Sequence, residues 1–455
     1  EEPVAHATPR TPPPDLHLST ADRLKWAEGL LNNHSNTRAI DALMTIPLQG
    51  LQQEELCHYY YIAGKAHRKL RRYSKAEDRL LKATAYCEDP ELRRKAYFIA
   101  AKVISIQDGL RSIETIEGFV KAFPSHSMVD DVLFWAGDTF QRRDRNEEAI
   151  TYYRRAENRF PKGDMCGEAR WRRAWMAYRA GDFRLAKAVF EQLLSADGCV
   201  QKKEELARAS YWLARIAATE KKDQLAIAHY QRAIKHKPLG FYAQMALKRL
   251  ESLDPAAYTA SHTPIRFPFN SAETFPGICP GNLTLHPQLP AALALMQRGL
   301  KQDAIPFLRQ LKHKSSRSPI ASTTCPQVEP KILVALLLKE AGAKQEAQWL
   351  LRTSGARYLE QKPSSSQIAI LQAAYPLAYR DELGAAEREH QLPELLLQAL
   401  AREESGFNPR IVSWAGAYGL TQLLFGVAQS LGPRLEPPVQ IKRSSQLQEP
   451  RLNAR

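Results

Sequence analysis

The sequence predicts an all-α protein, with a solenoid of helical hairpins over the first half and a smaller α domain at the C-terminal end. Three observations lead there. Helix–turn–helix units of similar length recur between residues 59 and 234. A proline-rich stretch from 254 to 290 interrupts them, and helical periodicity resumes beyond it. Near the end, an apolar helix closes on two adjacent glutamates and runs into a segment rich in glycine and small residues.

Residues 1–18 carry five prolines and read as a loosely attached leader. From 19 to 253 the chain repeats itself. The stretches "VLFWAGDTFQRRDRNEEAITYYRRA" (132–156), "ARWRRAWMAYRAGDFRLAKAVFEQLL" (169–194) and "ASYWLARIAATEKKDQLAIAHYQRAI" (209–234) share a pattern. Trp135, Trp175 and Trp212 recur at steps of 40 and 37; Ala149, Ala186 and Ala226, like Tyr153, Phe190 and Tyr230, recur at 37 and 40. An earlier unit, "YYYIAGKAHRKLRRYSKAEDRLLKA" (59–83), puts Ala76 two periods before Ala149. Each unit reads as a helix, a short turn and a second helix. Small alanines let the paired helices approach, and the aromatics fill the gap to the next pair. That is the signature of a tetratricopeptide-like superhelical solenoid whose period is slightly longer than the usual ~34 residues.

The segment 254–290 holds seven prolines and is an irregular connector. Helical patterns return in "AALALMQRGLKQDAIPFLRQLKH" and "KILVALLLKEAGAKQEAQWLLRTS", so 291–374 is expected to form a second helical segment. Residues 375–455 form the final domain.

A chain of 455 residues can bury several cores. Its net charge of +15 favours polyanionic partners, including an anionic cell-wall polymer. The basic residues are spread along helical patterns without a dense run, so no nucleic-acid partner is expected. No apolar run of about 18 residues is present, which excludes a membrane-spanning helix. Residue 1 is Glu, as expected of a processed or excised chain from which an export signal has been removed; it is not Cys, which argues against a lipid anchor.

The six cysteines partition in pairs. Cys57 and Cys87 bracket one predicted hairpin, Cys166 and Cys199 another. In an antiparallel hairpin the start of the first helix and the end of the second lie together, within the roughly 4.4–6.8 Å Cα separation a disulfide needs. Cys279 and Cys325 remain, each in a proline-rich loop. Buried reduced thiols are the plain alternative; the even partition favours disulfides and an oxidising compartment. No CxxC or His/Cys ligand spacing occurs, so neither metal nor cofactor is expected.

The glutamates at the end of "LLLQALAREESGF" carry the chemistry. Pro393 sits where a first helical residue is preferred, and Gly406 and Pro409 stop the helix. Gln391, Glu394, Gln398, Arg402 and Ser405 share one face; Leu396, Leu397, Leu400, Glu403 and Glu404 share the opposite half. Both carboxylates are therefore expected on the packed side of the last turn. Desolvation and the negative end of the helix dipole would both raise a carboxyl pKa there, which suits a general acid. Periodicity does not choose between the two glutamates, and a pair of solvated surface charges has the same pattern.

"ALAREESGFNPRIVSWAGAYGLTQL" closely resembles the catalytic core of the soluble lytic transglycosylases, bacterial enzymes that cleave the peptidoglycan glycan strand. Their pattern of Glu-Ser, a Phe-x-Pro turn and Ser-x-x-Gly-Ala-x-Gly-Leu-(Met/Thr)-Gln-Leu falls on Glu404-Ser405, Phe407 to Pro409, Ser413, Gly416-Ala417 and Gly419 to Leu423. Tyr375-Pro376 and Tyr379 also stand in the family's places. The resemblance implies a goose-lysozyme-like α domain with one essential acid, Glu404. That acid would protonate the glycosidic oxygen between N-acetylmuramic acid and N-acetylglucosamine, then take a proton from the muramyl 6-hydroxyl as a 1,6-anhydro ring closes. The family's scheme needs no second carboxylate, unlike ordinary glycosidases. Ser405 would orient Glu404, while Ser413, Gly416, Ala417, Gly419, Leu420 and Gln422 would line the cleft. It also implies a periplasmic location, with peptidoglycan glycan strands and other cell-wall enzymes as partners.

The chain departs from the family pattern in two places. Leu424-Phe425-Gly426 replaces the usual Met-Pro, and neither Gly-x-x-Tyr-Leu nor Ala-Tyr-Asn follows before residue 455. The catalytic domain is thus expected to be C-terminally truncated, only its N-terminal part being present, which leaves the activity of this chain open. The alternative is a non-catalytic helical-repeat scaffold that binds peptidoglycan or partner proteins through its concave face.

Overall fold

A computed structural model describes residues 18–195, 199, 202–262, 286–314, 329–359, 368–413 and 415–455. Among the described residues the fold is all-α apart from one small hairpin. Helices pair in sequence: α1 (Thr20–Asn32) with α2 (Asn36–Met44), α3 (Gln53–Lys69) with α4 (Tyr73–Tyr86), and α5 (Pro90–Gln107) with α6 (Ser112–Ala122). There follow α7 (Met128–Gln141) with α8 (Asn146–Arg159), α9 (Cys166–Arg179) with α10 (Phe183–Leu194), and α11 (Lys203–Thr219) with α12 (Asp223–His236). Then come α13 (Phe241–Leu253) and α14 (Pro255–Ser261). Residues up to His236 and Tyr242–Tyr258 make one compact unit; Lys237–Phe241 and the chain from Thr259 onward make the other.

The repeat positions read from the sequence are the packing positions of the solenoid. Ala76, Ala149, Ala186 and Ala226 are wholly buried, as are Tyr153 and Phe190. A Cβ on Gly64 would lie 2.6 Å from Leu80, and one on Gly137 2.6 Å from Tyr153, so the paired helices touch where a side chain is missing. Between successive pairs the aromatics stack. Trp171, Trp175 and Tyr178 form a ladder along α9, and Trp212 of α11 meets Trp175 edge-on at 4.6 Å.

Four hairpin turns of the solenoid share one geometry. A residue in the left-handed region follows the first helix at Arg71, Asp144, Gly181 and Lys221. The next amide then bonds back five residues: Arg72 to His67, Arg145 to Phe140, Asp182 to Ala177 and Lys222 to Ala217, at 2.9–3.1 Å. These are Schellman caps, which satisfy the carbonyls left open at each helix end. Of these four positions one is glycine, Gly181; the other three are charged residues.

Cys57 at the start of α3 is bonded to Cys87 at the end of α4, with 4.7 Å between Cα atoms. Cys166, which opens α9, is bonded to Cys199 beyond α10, at 5.4 Å. The proposed partners Cys279 and Cys325 lie outside the described residues. No helix among the described residues is long and apolar enough to cross a membrane.

In the second unit, α15 (Gln288–Gln297), α16 (Lys301–Lys314), α17 (Pro330–Glu340), α18 (Lys344–Ser354), α19 (Ala356–Leu359) and α20 (Ile368–Ala374) surround a core of leucine, isoleucine and alanine. Beyond it stand α21 (Arg380–Glu389) and α22 (Leu396–Glu404), the antiparallel pair β1 (Ala417–Tyr418) and β2 (Leu423–Leu424), α23 (Phe425–Leu431) and α24 (Pro450–Ala454). Leu383, Ala386, Leu397, Ala401, Phe407, Leu420 and Ala454 form their core.

Candidate active site

The site is built around the end of α22. The helix starts at Leu396, three residues later than Pro393 suggested, because Leu395 takes a left-handed φ of 68° and breaks the helical path. Its first turn is capped from outside. The buried Glu387 carboxylate of α21 accepts the amides of Leu395 at 3.1 Å and Leu397 at 2.9 Å, and pairs with Arg380 at 2.9 Å. Burial pushes this carboxyl up, but the Arg380 guanidinium and the amides of Leu395, Leu397 and Gln398 outweigh it and hold the group below the usual range.

The packed face of α22 differs from the expectation. Leu397, Gln398 and Ala401 are buried, with Ser405 just beyond them, whereas Leu396, Leu400, Glu403 and Glu404 are exposed. The reason is polar. Gln398 donates to the Pro376 carbonyl at 3.0 Å, and Arg402 donates to the Ala374 carbonyl at 2.9 Å with its guanidinium 4.2 Å from the Tyr375 ring. These bonds turn the Gln398–Arg402 side inward and leave Leu396 and Leu400 exposed.

The two glutamates are then unlike. Glu403 is held by Arg352 of α18 at 2.8 Å and by its neighbour Arg402. Glu404 has no hydrogen-bond or ion-pair partner among the described residues and faces solvent. Ser405 does not touch the Glu404 carboxylate. Its hydroxyl donates to the Ala401 carbonyl at 2.9 Å and accepts the Phe407 amide at 3.1 Å, stapling the turn through Gly406 and Phe407, both at positive φ.

The glycine-rich run folds back as a hairpin. The Ser413 amide donates to the Ala417 carbonyl at 2.9 Å, and the Ser413 hydroxyl accepts the Ala417 amide at 3.0 Å. Gly416, at φ 76°, has open space where a Cβ would stand. Gly419 does not: at φ 76°, its Cβ would fall 2.1 Å from the Leu447 carbonyl and 2.6 Å from Asn453 Nδ2. Leu420 is wholly buried, so Gly419 and Leu420 hold the wall from behind while Gly416 and Ser413 sit at its rim. Gln422 ties its own amide to the Gly419 carbonyl at 3.0 Å.

Two residues at this site escaped the sequence reading. One is Glu387. The other is Asn453, which is 3% exposed. Its side chain accepts from the Thr421 amide at 2.7 Å and donates to the Tyr418 and Leu447 carbonyls at 3.0 and 2.9 Å. A Glu in an acidic helix and an Asn near the last residue carry no local signal; only the fold brings them to backbone groups in need of partners.

Elsewhere, Asp130, Asp131 and Asp164 bring carboxylate oxygens within 4.8 Å of one another in the solenoid. The Asp130 oxygens already accept the amides of Asp131 and Met165. Burial and the neighbouring Asp130 and Asp164 push Asp131 up to about 6.

Residues 382–455 match the family model of the transglycosylase SLT domain, and residues 134–183 and 172–240 match the tetratricopeptide repeat. No curated protein matches at a significant level. Among solved structures, the lytic transglycosylase Slt of Pseudomonas aeruginosa, in an inactive Glu-to-Gln mutant form, aligns over 96% of this chain and 70% of its own, with TM-score 0.54 and 17% identity. The 70 kDa soluble lytic transglycosylase of Escherichia coli aligns over 96% and 69%, with TM-score 0.52 and 15% identity. At such identities the likeness establishes the fold. The chain thus joins tetratricopeptide-type repeats to a segment matching the transglycosylase SLT domain, on the superhelical fold seen in the soluble lytic transglycosylases.

Proposed function

We propose that the protein is a peptidoglycan lytic transglycosylase in which Glu404 is the single acid and base. The observation that carries this reading is the contrast at the end of α22: Glu403 is committed to two guanidinium groups, and Glu404 is exposed and unpaired. Protonated Glu404 gives its proton to the β-1,4 glycosidic oxygen as the bond from the muramyl anomeric carbon breaks. The resulting carboxylate takes the proton of the 6-hydroxyl, whose oxygen bonds to that carbon and closes the 1,6-anhydro ring. The glutamate ends protonated, and no water is consumed. Because the Glu404 side chain lies on the open side of the helix, the glycan strand itself would exclude water from it. Ser413, Gly416, Ala417 and Gln422 supply the rim against which the sugar lies, with Ser405 fixing the turn. A periplasmic location follows from the proposed substrate and agrees with the two disulfides.

The test is turnover of purified peptidoglycan with mass spectrometry of the products. The expected product carries a 1,6-anhydromuramyl end, one water lighter than a hydrolysed end. Glu404→Gln is expected to abolish release with an unchanged melting temperature. A Glu404→Gln variant that keeps substantial activity while Glu403→Gln loses it would overturn the assignment.

A further inference from the structure

We propose that α18, which lies outside the matched SLT segment, positions the turn that carries the catalytic carboxylate: Gln345 and Arg352 hold residues 403–407 in place, with Gln348 packed beside Gly406. The inference rests on the assignment of Glu404 above.

The three side chains stand at steps of three and four along α18, on one face of the helix. Each meets a different part of the turn. Gln345 Nε2 donates to the Phe407 carbonyl. Gln348, 1% exposed, puts its Oε1 3.3 Å from where a Cβ on Gly406 would stand. Arg352 pairs with Glu403 at 2.8 Å.

The turn needs such support. Gly406 and Phe407 both have positive φ, so the helix ends there; the amides of Gly406 and Phe407 still bond back to Arg402 and Ala401, while the Phe407 carbonyl takes its donor from Gln345. Ser405 holds it from within, and α18 holds it from outside. The support is itself rigid: Ala347, Leu350 and Leu351 on the other side of α18 are buried in the core formed with α17. Arg352 and Glu403 are half-exposed, so their pair contributes little to global stability. Its effect is on the place of one backbone segment and hence of Glu404.

The experiment uses the full chain with Arg352→Ala, Gln345→Ala and the double variant. Arg352→Lys is the conservative control, and Thr353→Ala, on an exposed part of the same helix, is the neutral one. Turnover of soluble glycan strands is measured, with hydrogen exchange of residues 401–409. The double variant is expected to lose about 10²-fold in kcat at constant KM, the loss associated with a misplaced catalytic group. Its amides at 403–407 exchange about tenfold faster, Arg352→Lys recovers most of the lost rate, and Thr353→Ala changes neither. Unchanged kcat and unchanged exchange in the double variant would overturn the proposal, as would a loss confined to KM. A wild-type chain without turnover sinks the enzymatic reading alone; the exchange data then decide whether α18 holds the turn.

Discussion

Replacing Glu387 by glutamine removes the charge that starts α22 while keeping its shape. The carboxylate is 3% exposed and accepts three bonds, from Arg380 and from the amides of Leu395 and Leu397. Glutamine keeps one acceptor oxygen and turns the other into an NH2 group aimed at a donor. Hydrogen bonds to charged groups contribute about 1.5–3 kcal/mol each, and stripping a buried ion of its partner costs about 3–5 kcal/mol. Here the stranded ion is cushioned. The Arg380 side chain is 30% exposed and has Glu394 as a second partner at 2.7 Å, which puts the expected loss at the low end, about 2–3 kcal/mol. Local opening of α22 should then rise roughly 30- to 150-fold, read by hydrogen exchange at Leu397 to Ala401. The pH dependence has a definite sign. Because the folded carboxyl titrates below its ordinary value of 4.5, its contribution is complete above that pH and drains away as pH falls through the folded value. Glutamine abolishes that slope. A loss under about 0.5 kcal/mol, with unchanged protection and an unchanged acid slope, would refute the cap and its electrostatic account.

Three other outcomes follow from the same geometry. Thiol titration of the unfolded, unreduced protein should find Cys57, Cys87, Cys166 and Cys199 unreactive; the bridges span 30 and 33 residues, so reducing each should cost roughly 3–4 kcal/mol in the solenoid. Gly419→Ala should destabilise the domain by about 3 kcal/mol or more, since both the positive φ and the Leu447 carbonyl oppose a side chain, whereas Gly416→Ala carries only the conformational cost of about 1–2 kcal/mol; chemical denaturation of the two variants separates them. Lys221→Gly should stabilise the solenoid by about 0.5–1 kcal/mol, because glycine relieves the left-handed turn position that lysine now occupies; an unchanged melting temperature would count against that reading of the turns.

The site was partly legible in the sequence. Resemblance to a family motif singled out Glu404, Ser413 and the glycines as candidates, and the hairpin pattern paired Cys57 with Cys87 and Cys166 with Cys199. Which way α22 faces was not legible. Leu396, Leu397 and Leu400 mark one side of that helix, yet of the three only Leu397 is buried, so the apolar pattern does not point at the packed face. The direction is set by Gln398 and Arg402 reaching the carbonyls of Pro376 and Ala374, residues more than twenty positions away.

The sequence by itself determined the architecture: a period of 37–40 residues with alanine and aromatic positions repeated, two hairpins with cysteines at matching ends, and a terminal motif with one Glu-Ser step. Those features are local or periodic, and helical geometry converts them directly into neighbours. Tertiary structure alone decided what surrounds the carboxylates. It brought Arg352 to Glu403, Glu387 to the first turn of α22 and Asn453 to the back of the turn at Gly419. Each of these contacts is polar and serves a particular donor or acceptor. Such a partner depends on where a distant backbone group stands after folding, and no periodicity encodes that position.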